Sequence, residues 1–186
     1  MVGRSGDEVF IDAPVLVLPG LGNSGPRHWQ TLWGLRHPDW QRVSLRDWDS
    51  PACDDWVRAL DVAVKACPSP PVLVAHSLAC LLVAHWAHRS ALVPKGAFLV
   101  AVPDPQSASF PVMARGFAPV PMEPFAFRSL VIASANDSFG SLVHAKHCAI
   151  AWGSIFVDVG QAGHINADSG HGEWTEGYTL LQQFMA

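Results

Sequence analysis

The stretch PVLVAHSLACLLVAHWAH, residues 71–88, decides the fold. It opens with a continuous apolar run, PVLVA (71–75), which is typical of a strand buried on both faces of a parallel sheet. The residues His76 and Ser77 follow at once, and a helix is predicted from Leu78 to His88. A strand, a sharp turn and a helix in immediate succession form a nucleophile elbow, and Ser77 would stand at its tip.

The small residues around Ser77 are the next test of this interpretation. An elbow brings the residues two before and two after the serine close together, and glycine is usual at both positions. This chain carries Ala75 and Ala79 there. Alanine still avoids the clash that a longer side chain would cause. The match to the elbow pattern is therefore weaker than with glycine, but it still holds. The alternative is a serine that only caps the following helix, a position that serine favours.

Five further apolar runs surround this stretch and alternate with predicted helices. The runs are VLVL (15–18), RVSL (42–45), GAFLVA (96–101), SLVIAS (129–134) and SIFVDV (154–159), and the helices are 27–35, 54–67, 142–152 and 174–184. Such an alternation predicts a doubly wound α/β fold, with a mostly parallel sheet of about six strands and helices on both faces.

The composition predicts one compact domain over residues 1–186. Hydrophobic residues make up 49% of the chain and charged residues 15%, which is too apolar for a disordered segment. The net charge of −4, without a cluster of lysine or arginine, argues against a nucleic-acid partner. No run of 18 apolar residues occurs, and the first fourteen residues lack a secretory apolar region, so we expect no membrane partner and a cytoplasmic protein.

Two later loops carry the residues that a serine nucleophile needs. In a doubly wound sheet, ligands lie beyond the carboxyl ends of the strands. The loop after SLVIAS contains Asp137 and the loop after SIFVDV contains His164. Ser77, Asp137 and His164 thus follow the chain order of α/β-hydrolase triads. A serine attacks only when a neutral imidazole takes its proton, and a carboxylate fixes the imidazole tautomer. Taken singly, Asp137 and His164 could also be ordinary turn residues.

Backbone donors for an oxyanion are predicted beside the serine. A helix that begins after Ser77 directs the Leu78 N–H toward an oxygen that becomes negative during acyl transfer. The second donor is expected from the loop PGLGNSG (19–25), and we assign it to the Leu21 N–H.

The irregular stretch 103–124 carries six prolines and is expected to form a small cap over the site. A loop this long within a compact domain is usually functional. Phe110 and Phe117 within it, together with Gly20 and Asn23 of the glycine loop, are the expected substrate contacts. The alternative for the two phenylalanines is simple packing over the sheet.

Other titratable residues fit the site less well. His76 adjoins the nucleophile but is expected to point away from it, and Asp158 lies within a strand. Asp104 is a weak substitute acid. Two histidine pairs have the i, i+3 spacing that can suit a metal, namely His85/His88 and His144/His147. Neither pair has a third ligand nearby, so we expect solvated helix faces and no metal.

Four segments also carry a resemblance to a known family. They are VLVLPGLGNSGPRHWQTLW (15–33), VAHSLAC (74–80), SANDSFG (134–140) and GHINADSGHGEW (163–174). They resemble the YdeN and retinoblastoma-binding protein nine family of small serine hydrolases, and the similarity spans nearly the whole chain. The resemblance implies a compact α/β-hydrolase fold with a minimal cap, and it places the family's triad on Ser77, Asp137 and His164. Family members are described as hydrolases or esterases, and some as partner-binding proteins.

The sequence therefore predicts a serine hydrolase that acts on a small-molecule ester or acyl substrate through an acyl-serine intermediate, without a cofactor. An amide is the alternative substrate. One competing function is an inactive hydrolase fold that binds a protein partner, although the sequence does not indicate such a partner. Another is dinucleotide binding, because Gly20, Gly22 and Gly25 spell G-x-G-x-x-G with Asp47 about twenty residues on. That function leaves Ser77 unexplained.

Overall fold

The computed structural model describes residues 12–186, so most of the first fourteen residues, where no secretory signal is predicted, lies outside the described residues. Strands and helices alternate along this part of the chain. Their bounds are β1 Val15–Leu18, α1 Trp29–Arg36, β2 Gln41–Arg42, α2 Cys53–Ala66, β3 Val72–His76, α3 Leu78–Arg89, β4 Gly96–Val100, β5 Ser129–Ala133, α4 Leu142–Trp152, β6 Ile155–Asp158 and α5 Thr175–Met185.

The six strands form one parallel sheet in the order β2-β1-β3-β4-β5-β6. This confirms the predicted α/β fold with a parallel sheet of six strands. The predicted strand RVSL (42–45) is wrong in its bounds, since only Gln41 and Arg42 pair with β1. Val43 and Leu45 are both buried, so their spacing resembles that of a strand. The Leu45 N–H, however, donates to the Val43 carbonyl, and the chain turns away from the sheet at this point.

Helices cover both faces of the sheet, as predicted. Successive residues of a strand point to opposite faces. In β3, Leu73 and Ala75 pack in the cluster that contains α2, α3 and α4, whereas Val72 and Val74 pack in the cluster that contains α1 and α5. No helix among residues 12–186 is both long and apolar enough to cross a bilayer.

The strand order reverses between β1 and β3, and this places the glycine loop beside the elbow. β2 lies outside β1, while β4, β5 and β6 follow β3 on the other side. Leu18 of β1 is in register with Ala75 of β3. The loops that leave these two strands therefore emerge side by side at the carboxyl edge, which is where doubly wound sheets bind ligands.

Most of the stretch 103–124 covers helices and not the site. The Phe117 ring packs edge-on against Trp56 of α2 at 5.7 Å, and the Pro121 carbonyl accepts a hydrogen bond from the indole of Trp152 in α4 at 2.8 Å. Its first part contacts the loop after β5, where the Asp104 N–H donates to the Phe139 carbonyl at 2.8 Å and the Ser109 hydroxyl donates to the Ser138 carbonyl at 2.7 Å. The expected cap over the site is thus limited to this first part, because the apolar residues further on are used to cover α2 to α4.

Candidate active site

The elbow after β3 holds Ser77 in a conformation that L-residues rarely adopt. Its φ is +56° and its ψ is −125°. The Ser77 N–H donates to the Val100 carbonyl at 2.9 Å, and the Ser77 carbonyl accepts from the Cys80 N–H at 2.8 Å. Ala75 and Ala79 have no exposed surface. The Ser77 hydroxyl makes no capping hydrogen bond to α3, so the residue is not the helix-capping serine of the alternative interpretation.

Three side chains from distant parts of the chain meet at this turn. The Ser77 hydroxyl lies 2.8 Å from His164 Nε2, and His164 Nδ1 lies 2.9 Å from each carboxylate oxygen of Asp137. With the proton on Nδ1 donated to Asp137, Nε2 of the neutral ring accepts from the serine hydroxyl. The Phe139 N–H also donates to Asp137 at 2.9 Å. The Asp137 side chain is only 2% exposed, so both its oxygens are engaged within the protein.

The two loops that carry Asp137 and His164 are bonded to each other. Asn136 Oδ1 accepts from the Ser134 hydroxyl at 2.9 Å and from the Gly163 N–H at 2.7 Å. The Ser134 oxygen in turn accepts from the Ala162 N–H at 2.9 Å. These contacts hold the acid and the base at a fixed separation. Sequence reasoning missed Asn136 and Ser134 as site residues, although both lie within the quoted segment SANDSFG.

The side chain of His76, which is predicted to point away from Ser77, packs against His164. As the last residue of β3 it shares a face with Val74, and the loop after β6 crosses that face. The His76 Nε2–H donates to the His164 carbonyl at 2.9 Å, and the two rings lie 4.9 Å apart. Phe139 covers His164 from another direction at 4.6 Å. Burial, followed by the nearby His164 and His28, holds the pKa of His76 well below its usual range, so its ring is uncharged.

Gly20 lies directly against the elbow, where any added side chain would be tightly packed. A Cβ on Gly20 would lie 3.0 Å from Ser77 Cβ and 3.3 Å from Leu78 N. Within residues 12–186, neither the Leu78 N–H nor the N–H of Leu21, the residue after Gly20, donates to a protein acceptor. The structure therefore brings the glycine loop to the serine and leaves both predicted donors unpaired by protein groups.

Asn23 is exposed at the surface, and its side chain also supports the glycine loop. Its Oδ1 accepts from the Ser24 N–H at 2.8 Å and from the Arg42 guanidinium at 2.9 Å. Arg42 also donates to the Ser24 carbonyl and to the Thr31 hydroxyl. The side-chain oxygen of Asn23 thus bonds to protein groups, and the contact of Asn23 with substrate stays a prediction.

The first turn of α1 anchors both the glycine loop and the histidine loop. The Gln30 amide donates to the Leu18 and Val74 carbonyls, each at 3.1 Å, and its Oε1 accepts from the Ser24 hydroxyl at 2.6 Å. The indole of Trp29 donates to the carbonyl of Ile165, the residue after His164, at 2.9 Å. Both side chains are buried, and sequence reasoning assigned neither of them to the site.

The two phenylalanines proposed as substrate contacts pack with the core. Phe117 is fully buried, and its side chain has no surface to offer a ligand, so that assignment is corrected. Phe110 is half-buried and packs against the same hydrophobic cluster. Phe117 packs against the helices and not over the sheet itself, between Trp56 of α2 and His85 of α3. Phe110 keeps exposed surface, so its contact with substrate stays a prediction.

The remaining polar candidates lie apart from the triad. Asp104 accepts from the Gln106 N–H and lies 3.7 Å from His144, and Asp158 accepts from the Gly160 N–H. His85 is buried and bonded to the Phe117 carbonyl at 3.0 Å, so the expectation of a solvated position is wrong for this residue. Among residues 12–186, no group of three or more histidine, cysteine or acidic side chains is arranged to hold a metal.

Comparisons with known proteins identify the family of the chain and structures that share its fold. The profile of a family described as serine hydrolase matches residues 15–183. The crystal structure of a protein described as a YdeN-like hydrolase from Pectobacterium atrosepticum is 34% identical, covers 92% of this chain and 90% of its own, and superposes with a TM-score of 0.82.

Two more distant structures share the fold. The ydeN gene product of B. subtilis is 21% identical, with a TM-score of 0.74 over 92% of this chain and 98% of its own. A monoacylglycerol lipase of Paleococcus ferrophilus is 11% identical, with a TM-score of 0.69 over 93% of this chain and 95% of its own. Among curated proteins, no sequence matches significantly.

Proposed function

The chain belongs to the serine hydrolase family, and from this premise we propose that it hydrolyses carboxylic esters of small molecules through an acyl-enzyme formed on Ser77. The observation that carries the proposal is the unbroken hydrogen-bonded line from Asp137 through His164 to Ser77, with distances of 2.9 and 2.8 Å. A serine hydroxyl is a weak nucleophile, and a base at this distance is what activates it.

In the first step, Ser77 Oγ attacks the ester carbonyl carbon while its proton moves to His164 Nε2. The carbonyl oxygen becomes negative, and the N–H groups of Leu78 and Leu21 stabilise it. The N-terminus of α3 adds its positive dipole at the same place. The imidazolium that forms is stabilised by the Asp137 carboxylate, which stays ionised.

The imidazolium of His164 then gives its proton to the departing alcohol, which completes the first half of the reaction and leaves the acyl group bonded to Ser77. Water then attacks the acyl carbon while His164 takes a proton from it. The tetrahedral intermediate collapses, the proton passes to Ser77 Oγ, and the carboxylic acid leaves. The same donors stabilise both tetrahedral intermediates.

The uncharged state of His76 supports this cycle. Its ring lies 4.9 Å from the ring of His164, which becomes cationic during each half-reaction. A second cation at that distance would oppose the proton transfer. Because burial keeps His76 neutral, it can hold the His164 carbonyl without disfavouring the imidazolium.

No observation in the structure favours either of the two competing functions. A dinucleotide-binding loop leads directly into the N-terminus of a helix that faces the phosphates. Here α1 begins at Trp29, His28 occupies the cap position, and Gly20 is packed on the elbow. A binding protein that had lost catalysis would not need the hydrogen bonds that connect Asp137, through His164, to Ser77.

Labelling with a fluorophosphonate probe tests the proposal, because the probe reacts only with an activated serine. We expect the parent protein to be labelled, and Ser77→Ala and His164→Ala to lose the label. Ser138→Ala is the matched control, since this exposed serine uses only its carbonyl, and it should label like the parent. A folded parent protein that stays unlabelled would contradict the proposal and favour a hydrolase fold that serves binding.

A further inference from the structure

The loop that carries the general base is held by side chains from other parts of the chain. The carbonyls of His164 and Ile165 accept hydrogen bonds from the rings of His76 and Trp29, each at 2.9 Å. The residues before His164 are held from the loop after β5, and the proposed mechanism gives those contacts no role.

Two adjacent residues, Asn136 and Asp137, hold two other adjacent residues, Gly163 and His164. The Asp137 carboxylate accepts from His164 Nδ1, with 2.9 Å to each oxygen. The side-chain oxygen of Asn136 accepts from the Gly163 N–H at 2.7 Å. One contact orients the imidazole ring, and the other holds the backbone that carries the ring. The general base is therefore attached to the acid loop at two points.

Gly163 has little freedom to adjust if its contact with Asn136 is lost. Its φ is +59°, which L side chains rarely adopt, and a Cβ on Gly163 would lie 2.6 Å from Ser169 Cβ. Ile165, on the other side of His164, is held through its carbonyl. A displacement that begins at the Gly163 N–H must therefore be taken up by His164 between them.

A buried hydroxyl determines where the Asn136 oxygen lies. Ser134 is 1% exposed, and its hydroxyl donates to Asn136 Oδ1 at 2.9 Å while it accepts from the Ala162 N–H at 2.9 Å. Asn136 itself is exposed, so its side chain would otherwise be free to change rotamer. Ser134 and Asn136 thus form a hydrogen-bonded pair that connects the acid loop to the base loop.

This pair is uncharged, although it adjoins an acid and a base. The titratable groups near His164 are Asp137 on the acid loop, His76 at the end of β3 and His28 before α1. A carboxylate at position 136 could accept the same two hydrogen bonds. Its charge would also stabilise the imidazolium of His164 and so reduce the fraction of neutral base at acidic pH. An amide supplies the acceptor without this effect.

We propose that Asn136, held by Ser134, is a positioning residue for the general base, and that it acts through the Gly163 N–H to keep His164 within reach of Ser77. This inference rests on the proposed function. A productive site must hold its groups to within about 0.5 Å, so one lost contact can slow the reaction. Asn136 does not touch the reacting atoms, so its loss should lower kcat and leave KM nearly unchanged.

Two substitutions at this exposed position separate the acceptor from the charge. Asn136→Leu keeps a similar size but removes the acceptor, and kcat for p-nitrophenyl butanoate should fall by about tenfold, the value of one hydrogen bond. Asn136→Asp keeps the acceptor, so kcat at alkaline pH should stay within about threefold of the parent. Its loss of activity on the acid side should begin about 0.5 pH unit higher at low salt, and 1 M NaCl should remove most of this shift. A tenfold loss in Asn136→Asp at alkaline pH would overturn the proposal.

Two serine variants separate positioning from general stability. Ser129 begins β5 and Ser134 follows its last residue, both are buried, and the Ser129 hydroxyl lies 2.6 Å from that of Ser154. Ser129→Ala and Ser134→Ala should therefore both lower the free energy of unfolding, measured with urea. Only Ser134→Ala should lower kcat at a temperature at which both variants are folded. Equal kcat in the two variants would overturn the proposal.

Fluorophosphonate labelling keeps this proposal distinct from the proposed function. We expect Asn136→Leu and Ser134→Ala to be labelled about tenfold more slowly than the parent protein, in step with their loss of kcat. Labelling of both variants at the parental rate would refute the positioning role and leave Ser77 as the nucleophile. A folded parent protein that stays unlabelled would instead refute the proposed function.

Discussion

Replacing Gln30 with methionine should destabilise the protein strongly, although the two side chains have similar length and volume. The substitution removes the hydrogen bonds to the Leu18 and Val74 carbonyls and to the Ser24 hydroxyl. Each is worth about 1 kcal/mol, and the buried groups left behind add a desolvation cost, so the free energy of unfolding should fall by roughly 3 to 5 kcal/mol. The free energy of unfolding of a domain is about 5 to 15 kcal/mol. The variant should therefore still fold, but with a smaller margin of stability.

Urea unfolding followed by the fluorescence of the eight tryptophans measures this loss. Gln183→Met is the matched control, because Gln183 is exposed on α5, and its effect should stay within about 0.5 kcal/mol. A loss below about 1 kcal/mol for Gln30→Met would refute the reasoning, since it would mean that the freed carbonyls find other partners at no cost.

Three further predictions concern the histidines and their acid. Asp137→Asn should reduce kcat for ester hydrolysis by about 10⁴-fold with an unchanged circular dichroism spectrum, because an amide favours the wrong tautomer of His164; near-full activity would exclude Asp137 as the orienting acid. His76→Phe keeps the ring contact but loses the bond to the His164 carbonyl, and should slow fluorophosphonate labelling by about tenfold, whereas an unchanged rate would show that the bond is dispensable. Below about pH 6.5 His28 binds a proton in the unfolded chain, whereas in the folded protein it stays neutral down to about pH 4. Lowering the pH from 6.5 to 4 should therefore cost roughly 3 kcal/mol of stability through His28 alone, and melting temperatures of His28→Asn should depend less on pH than those of the parent.

The central strands could be predicted from the sequence because each is a short, mostly apolar run. The predicted bounds of β1, β3, β4 and β5 agree with the structure to within one residue. Burial on both faces requires such runs, and the polar or small residues that follow mark the carboxyl edge. β2 was misplaced because it is an edge strand of two residues, and the buried Val43 and Leu45 beyond it imitate its pattern.

The meeting of Ser77, Asp137 and His164 was also predictable, whereas the contacts of the residues around them were not. Ser77, Asp137 and His164 each follow a predicted strand, so the order of elements alone places them at one edge. His76 and His164 are 88 positions apart, and Gln30 and Val74 are 44 apart, so their contacts leave no periodic signal in the chain. A histidine next to the nucleophile or a glutamine in a helix has many possible roles, and tertiary packing decides among them.

The segment HWQ at the start of α1 shows how the site determines the local sequence. A first helical turn on the surface would favour acidic and straight-chain residues, yet these three positions are buried. Gln30 fastens the glycine loop to β1 and β3, Trp29 fastens the loop after His164, and His28 caps the helix between them. One turn thus sets the distance between the loop that would hold the oxyanion and the loop that carries the base. Helix propensity cannot account for these residues, but the position of the turn between the two loops can.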